Sequence, residues 1–286
     1  MSKRKLIVHL KHFYLHAYVW FWIFVAIFPV LWIISMSLDP RNISKPTTLT
    51  LIPPGASLAA YLRVLKHPYQ GANVSFVRLL WNSLLVAGGT ALLSVLFGAT
   101  AAYAFSRFKF PGRKTGMLSF LVIFMLPASA TLAPLFVILT FLHIRDSLWG
   151  LVFAYTSSSL PFAIWNLKGY FDTVPKELEE AALVDGCDRN AAFFRVILPL
   201  SVPAIAVTVL FGFMNGWTEW MLAWTFLTKP KSFTLAMTLY NMVGQWNTPW
   251  SNFAAFSILV SLPIIIIWFL LQKYIVSGLT LGGVKG

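Results

Sequence analysis

Charge is scarce in this 286-residue chain: 11% of residues are Asp, Glu, Lys or Arg, 58% are apolar, and the mean hydropathy is +0.74. The length alone would allow one or two soluble domains, but this pool cannot supply a water-facing surface for them. Acids are the scarcer sign, 9 against 22 Lys and Arg, for a net charge of +13. Such an excess would suit phosphate binding, yet the cations flank apolar runs and form no stripe. Membrane topology and anionic lipid account for them, and no nucleic-acid partner is expected. The single cysteine, Cys187, excludes an internal disulfide and a cysteine-based metal cage, and reads as a small filler in a polar loop. His9, His12 and His16 sit on a basic stretch, with His67 and His143 in loops. No pair has metal-ligand spacing, so no metal site is expected. The nearest approach to a phosphate-cradling loop is Gly112-Arg113-Lys114-Thr115, but its Lys does not follow Gly and position 107 is Arg. No nucleophile–base–acid set is evident either. The chain therefore reads as a non-enzyme that binds no cofactor, and any uphill transport it performs draws its energy from a partner.

What the chain has in abundance is apolar runs long enough to cross a bilayer, which takes about 20 residues per helix. Six are expected, at about 18–38, 79–105, 117–142, 148–167, 201–226 and 253–274, in a single all-α membrane domain over 1–286. The first is too long for a signal-peptide core and leads into Ser37-Leu38-Asp39-Pro40 with no small-residue cleavage site. After Ser57, a plausible N-cap, Leu58, Tyr61, Leu62 and Leu65 recur at helical spacing and predict a short amphipathic helix. Ser83, Ala87, Thr90, Ser94 and Gly98 put small residues on one stripe of span two, predicting close approach of a neighbour. Pro127 and Pro134 predict that span three is kinked or broken. Lys and Arg number fourteen in segments 1–17, 106–116, 168–200 and 273–286, against eight in the alternate segments. The positive-inside rule thus places both termini and the 168–200 loop in the cytoplasm.

That loop holds the most informative stretch. Pro175 suits the first turn of a helix, and Glu177, Glu179 and Glu180 favour the positive end of its dipole. Ala181 and Ala182 leave bare backbone on one face, and Gly186 offers a left-handed stop. Asp188 is placed to cap a second helix, which Pro199 interrupts near its far end. The result is a short helical hairpin with a smooth, acid-edged knob.

Span five carries Thr208, Gly212, Asn215 and Glu219 at spacings that line one helix face. A carboxylate inside a membrane span usually faces a cavity or a partner. With Trp217 and Trp220 beside it, the neighbourhood supplies hydrogen-bonding groups next to flat apolar surface, the combination a carbohydrate site needs. A satisfied polar pair at a helix contact, with Trp residues in the interface belt, explains the same pattern. Span four, with Tyr155, Ser157, Ser158, Ser159 and Pro161, also needs neighbours or a watery cavity.

Glu180-Ala181-Ala182, three residues, Gly186, nine residues, then Val196-Ile197-Leu198-Pro199 resembles the "EAA loop" of ABC-importer permeases. Trp81-Asn82-Ser83, Ala101 to Phe105, Phe110-Pro111-Gly112, Lys168-Gly169-Tyr170-Phe171, Thr218-Glu219 and the tail from Gly278 to Gly286 are similar to the smaller permease of maltose/maltodextrin-type sugar importers. The likeness covers most of residues 79–286; residues 1–78 match in hydropathy and the place of the amphipathic helix. It implies a type I ABC-importer permease architecture in a bacterial inner membrane. The implied partners are a second, larger permease, two ATPase subunits that hold ATP and Mg, an extracytoplasmic sugar-binding protein and the sugar itself. On this resemblance Glu180, Ala181, Ala182, Leu183, Asp185, Gly186 and Pro199 couple the chain to an ATPase. Thr208, Asn215, Trp217, Glu219 and Trp220 are candidates for the substrate path, and Tyr240, Asn241, Gln245 and Trp246 for contact with the binding protein. The Gly-rich tail, read from composition as flexible, reaches toward the ATPases in such systems. Aromatic residues around Trp217 and Trp220 and a short third loop depart from the maltose pattern and leave the sugar open. The competing class is an ion-coupled secondary transporter, which would normally show more buried ionisable residues and two similar halves; here Glu219 is the one acid within a span and no halves match.

Overall fold

A computed structural model describes residues 3–41, 51–69, 71–244 and 248–283. No strand occurs among the described residues, in keeping with the all-α fold expected. The chain divides into two compact units, Met1–Gln70 with Asn241–Leu259 and Gly71–Tyr240 with Val260–Gly286.

In the first unit, α1 (Lys3–Ser37) begins well before the apolar run, so the helix takes in the basic N-terminal stretch. Its large side chains, Trp20, Phe21, Trp22 and Val30 among them, are exposed, as a lipid-facing span requires. The amphipathic helix is present as α2 (Ala59–Lys66), but two details differ from expectation. Leu58 is the N-cap, with no side-chain bond. Leu58, Leu62 and Leu65 are exposed, and the residues α2 buries are Ala60 and Val64. Helical spacing identifies the helix but does not say which side meets the protein; here the small side chains allow the closer approach. Tyr61 Oη pairs with Ser37 Oγ at 2.9 Å, and Arg63 Nε donates to Asn252 Oδ1 at 2.9 Å, near the start of α13 (Trp250–Gly283).

The second unit is organised around α3 (Phe76–Arg107), whose N-cap Ser75 accepts the Arg78 N–H at 3.3 Å. It packs against α6 (Leu148–Phe171) and α10 (Val202–Thr218). The expected stripe is buried throughout, and α10 answers it with Gly212 and Gly216. A Cβ on Gly212 would lie 3.0 Å from Ala91 Cα, and one on Gly216 would lie 2.8 Å from Ala87 Cα, so the two backbones touch.

Span three is a broken pair, α4 (Arg113–Met125) and α5 (Ala128–Phe141), bent by 105°. Pro127 lacks an N–H and forces the extended backbone seen at Leu126, so the helix stops there. Span five, expected to be continuous over 201–226, is interrupted. α10 ends at Thr218, Glu219 is extended, and α11 (Met221–Phe226) starts afresh. Among the described residues three helices are long and apolar enough to cross a membrane, His12–Ser37, Phe76–Arg107 and Trp250–Ile275, or up to five if each bent pair counts as one. The remaining expected span falls on α6, which has the length but carries the hydroxyl run Thr156 to Ser159. The tail also differs from expectation: α13 continues as helix to Gly283, with 284–286 outside the described residues.

Opposite the basic loops, the segment after α11 is pinned to the unit. Asn82 Nδ2 donates to the carbonyls of Lys231 and Phe233, both at 2.9 Å, and Ser83 Oγ accepts the Leu235 N–H at 2.8 Å. Asp146 accepts the Thr228 N–H and hydroxyl at 2.9 Å and lies 3.2 Å from Lys229 Nζ. Burial raises the Asp146 carboxyl pKa, but the Thr228 and Lys229 donors outweigh it and hold it below the usual range.

Candidate functional site

The loop 168–200 forms a closed helical hairpin. Its first limb is α7 (Lys176–Val184), with Pro175 as N-cap, one position earlier than expected, and Glu177 and Glu179 in the first turn. Gly186 has φ +90°, and the chain closes there with Cys187 N–H donating to Ala182 O at 3.0 Å and Gly186 N–H to Leu183 O at 3.1 Å. These paired bonds satisfy the last carbonyls of α7 and fix the turn. Asp188 Oδ1 accepts the Ala191 N–H at 2.7 Å and caps α8 (Arg189–Ala192), as its position suggested. The second limb then widens into a π-turn over Phe193–Ile197, with Leu198 N–H reaching back to Phe193 O, and continues through α9 (Leu198–Leu200), which contains Pro199. An 80° bend separates this limb from α10.

The outer face of the hairpin is bare. Glu180, Ala181, Asp185, Gly186 and Pro199 are exposed, Ala182 and Leu183 are half-buried, and Val184 is 88% exposed. Leu178 stands exposed one turn before Ala181. The root of the hairpin is apolar: Ala102, Leu167, Phe171, Phe193, Ile197 and Ala204 belong to one buried cluster that joins α3, α6 and α10 to it. Beside that cluster lies a polar group built from distant parts of the sequence. Tyr103 Oη donates to Glu179 Oε1, and Arg107 Nε donates to Glu179 Oε2 at 2.8 Å. Arg107 also donates to Val174 O at 3.1 Å and Ser106 Oγ at 3.2 Å, and Ser106 donates to Asp172 Oδ1 at 2.6 Å. Burial pushes the Asp172 carboxyl up, but the Lys168 ammonium at 2.5 Å and the Ser106 hydroxyl win and hold it below its ordinary value.

Within the membrane part, α3, α4, α5, α6 and α10 surround a cavity of about 840 Å³. Phe124, Phe162 and Phe211 form an aromatic wall, with Phe162 and Phe211 rings 4.7 Å apart. Ser157, Ser158, Ser159, Thr208, Asn215 and Glu219 supply the polar edge. Asn215 Nδ2 is engaged with Tyr155 O, Ser158 Oγ and Ser159 Oγ at 3.1, 2.9 and 2.6 Å, and Thr208 is bonded to Asn166 Nδ2 at 3.0 Å. Both Glu219 oxygens accept N–H groups at the start of α11, Met221 at 2.8 Å and Leu222 at 3.0 Å. Trp217 and Trp220 do not line this cavity. Trp217 is 1% exposed, stacks on Phe213 and donates Nε1–H to Val260 O at 3.1 Å, in α13. Trp220 stacks on Tyr240 with centroids 3.6 Å apart. Tyr240 and Asn241 are exposed; Gln245 and Trp246 lie outside the described residues. No cluster of His, Cys, Asp or Glu able to hold a metal occurs among the described residues.

An aromatic-walled cavity between broken helices, joined through α10 to an exposed hairpin, is the build of a membrane transport subunit. Residues 94–281 match the family described as binding-protein-dependent transport system inner membrane component, and the chain belongs to that family. Among curated proteins it is similar to the galactooligosaccharides transport system permease protein GanQ of Bacillus subtilis, at 36% identity over 92% of this chain and 91% of that one. The maltose/maltodextrin transport system permease protein MalG of Vibrio vulnificus is 35% identical over 95% of each chain. Among solved structures, a chain of a bacterial ABC transporter that imports the acidic polysaccharide alginate superposes with a TM-score of 0.77 at 21% identity, over 96% of this chain and 98% of that one, which establishes the shared fold.

Proposed function

We propose that this chain is the permease subunit of an ATP-driven oligosaccharide importer, carrying half of a translocation path whose other half belongs to a second permease. The observation that carries the reading is the exposed, rigidly closed hairpin joined to the helix that lines the cavity, in a chain with no nucleotide-binding motif of its own. Leu178, Ala181 and Val184 offer a small apolar face for a cleft on a cytoplasmic ATPase subunit, and Glu180 offers a charge for a basic partner. Closing an ATPase pair moves whatever is seated in it, and here that motion reaches α10 through the second limb. ATP and Mg belong to those ATPases, both termini lie in the cytoplasm, and six passes cross the membrane, α6 included.

The cargo follows from the cavity and the relatives together. An aromatic wall beside hydroxyl and amide groups suits a neutral sugar, and both curated relatives carry oligosaccharides by name. Trp220, Tyr240 and the outer segment 227–252 then face an extracytoplasmic sugar-binding protein. A gradient-coupled carrier is disfavoured because the Glu219 oxygens are committed to helix N–H groups.

Two measurements on the assembled complex test this. In proteoliposomes with binding protein, maltotriose or a galacto-oligosaccharide should stimulate ATP hydrolysis and accumulate only when ATP is supplied. Accumulation driven by a proton or sodium gradient without ATP would refute the reading. Once the ATPase subunits are stripped off with urea, a membrane-impermeant maleimide should label Cys187, the chain's single cysteine, in inside-out vesicles and not in right-side-out ones; the reverse pattern would put the hairpin on the wrong face.

A further inference from the structure

We infer that Glu179 is a positioning residue that latches the hairpin to α3, so that displacement of the hairpin is delivered to α3 and its stretch of cavity wall as well as to α10. The inference rests on the ATPase-docking reading above and adds a second route for the motion.

Glu179 points away from the exposed face of α7: it is buried, while Leu178, Glu180 and Ala181 on either side of it are exposed. A docking partner seated on that outer face would leave Glu179 on the opposite side. Its two oxygens are used by two residues of one helix turn, Tyr103 and Arg107 of α3. The Arg107 side chain is 6% exposed and is fixed by Val174 O and Ser106 Oγ in addition to the carboxylate. Ser106 adds a second grip through Asp172, so the last turn of α3 holds the hairpin's approach at 172–174 and its first limb at 179. The Tyr103 ring lies 4.7 Å from that of Phe193, in the second limb. No residue of α7 belongs to the apolar cluster at the hairpin's root, so the tie between α7 and α3 runs through Glu179.

A buried ion pair is a poor source of stability, since desolvation cancels most of the attraction. What a guanidinium–carboxylate contact supplies is geometry, through directional, charge-assisted bonds. Arg107 also stands in the last turn of α3, where a cation suits the helix dipole. The latch therefore reads as a device for direction. At its far end α3 holds Lys231, Phe233 and Leu235 through Asn82 and Ser83, and midway it presents Ser94 to the cavity. One continuous helix thus runs from the coupling hairpin past the cavity to the outer segment.

The test uses the complete complex, with Glu179→Ala, Arg107→Ala, their double variant and Glu179→Gln. Expected is at least a tenfold fall in maltotriose or galacto-oligosaccharide carried per ATP hydrolysed in each Ala variant. ATPase activity without binding protein, measured per assembled complex, should stay within about twofold of wild type. The double variant should be no worse than the worse single, and Glu179→Gln, which keeps hydrogen-bonding shape, should recover part of the ratio. A second readout needs no sugar. In a Cys187→Ser background, alkylation of Ser94→Cys should respond to ATP, and Glu179→Ala should abolish that response. A wild-type ratio in both single Ala variants overturns the latch, as does a persistent ATP response at position 94. Loss of complex with a normal ratio in the surviving fraction also overturns it, because the pair would then be merely structural. Absence of ATP-driven uptake and of any ATP response in the unsubstituted complex would instead refute the docking reading itself.

Discussion

The two ends of α3 hold neighbouring segments by opposite chemistry. At its N-terminal end, Asn82 and Ser83, together with Arg78, bond to the backbone of residues 231–235. At its C-terminal end, Tyr103, Ser106 and Arg107 grip two carboxylates, Glu179 and Asp172. Bonds to backbone hold a loop's path whatever its side chains are. Bonds to side chains single out particular residues and fail if those residues change. The course of residues 231–235 is therefore held to α3 through backbone groups, whereas the hairpin is tied at named side chains.

The largest effect expected from that contrast comes from Arg107→Met, which leaves Glu179 buried and unpaired at a cost of about 3–5 kcal/mol. Thermal unfolding of the detergent-purified complex should show it, and a shift no larger than that of a surface substitution would contradict the burial of the pair. Asn82→Ala at the other end removes the amide that bridges the Lys231 and Phe233 carbonyls and should cost about 1–3 kcal/mol. It should speed limited proteolysis within 229–235 while leaving cleavage of the hairpin unchanged; faster cleavage at both ends would break the contrast. The smallest effect is acid sensitivity at Asp172. Its carboxyl is held below the ordinary value, so its contribution is complete above the usual carboxylate range and is lost as pH falls through the lowered value. The stability gap between wild type and Asp172→Asn should accordingly be widest near neutral pH and shrink on acidification from about pH 6 to about pH 3, beyond the usual carboxylate value near 3.9.

Much of this was legible in the sequence where the determinants are local. Gly186 as a left-handed stop, Asp188 as a cap and Pro127 as a breaker each act within a turn of themselves, and the structure has all three. The small-residue stripe of α3 was legible for the same reason. The Tyr103–Arg107–Glu179 group was not, because Glu179 lies more than seventy residues from the other two and Arg107 reads as one more loop cation. The break at Glu219 was hidden by hydropathy: residues on both sides are apolar, and nothing short of the carboxylate's bonds to Met221 and Leu222 marks it as a cap. Trp217 reads as a path residue because it stands near Glu219 in sequence, but two helical positions turn it by about 200°, and the structure buries it toward α13. α2 showed the limit of periodicity in the other direction, since its leucines are the exposed side.

Where Gly212 and Gly216 meet Ala91 and Ala87, the nearest side chains beside the touching backbones are the small ones of Thr90 and Ser94. The contact leaves no room for even one added carbon, so any side chain placed at Gly216 has to wedge α10 away from α3.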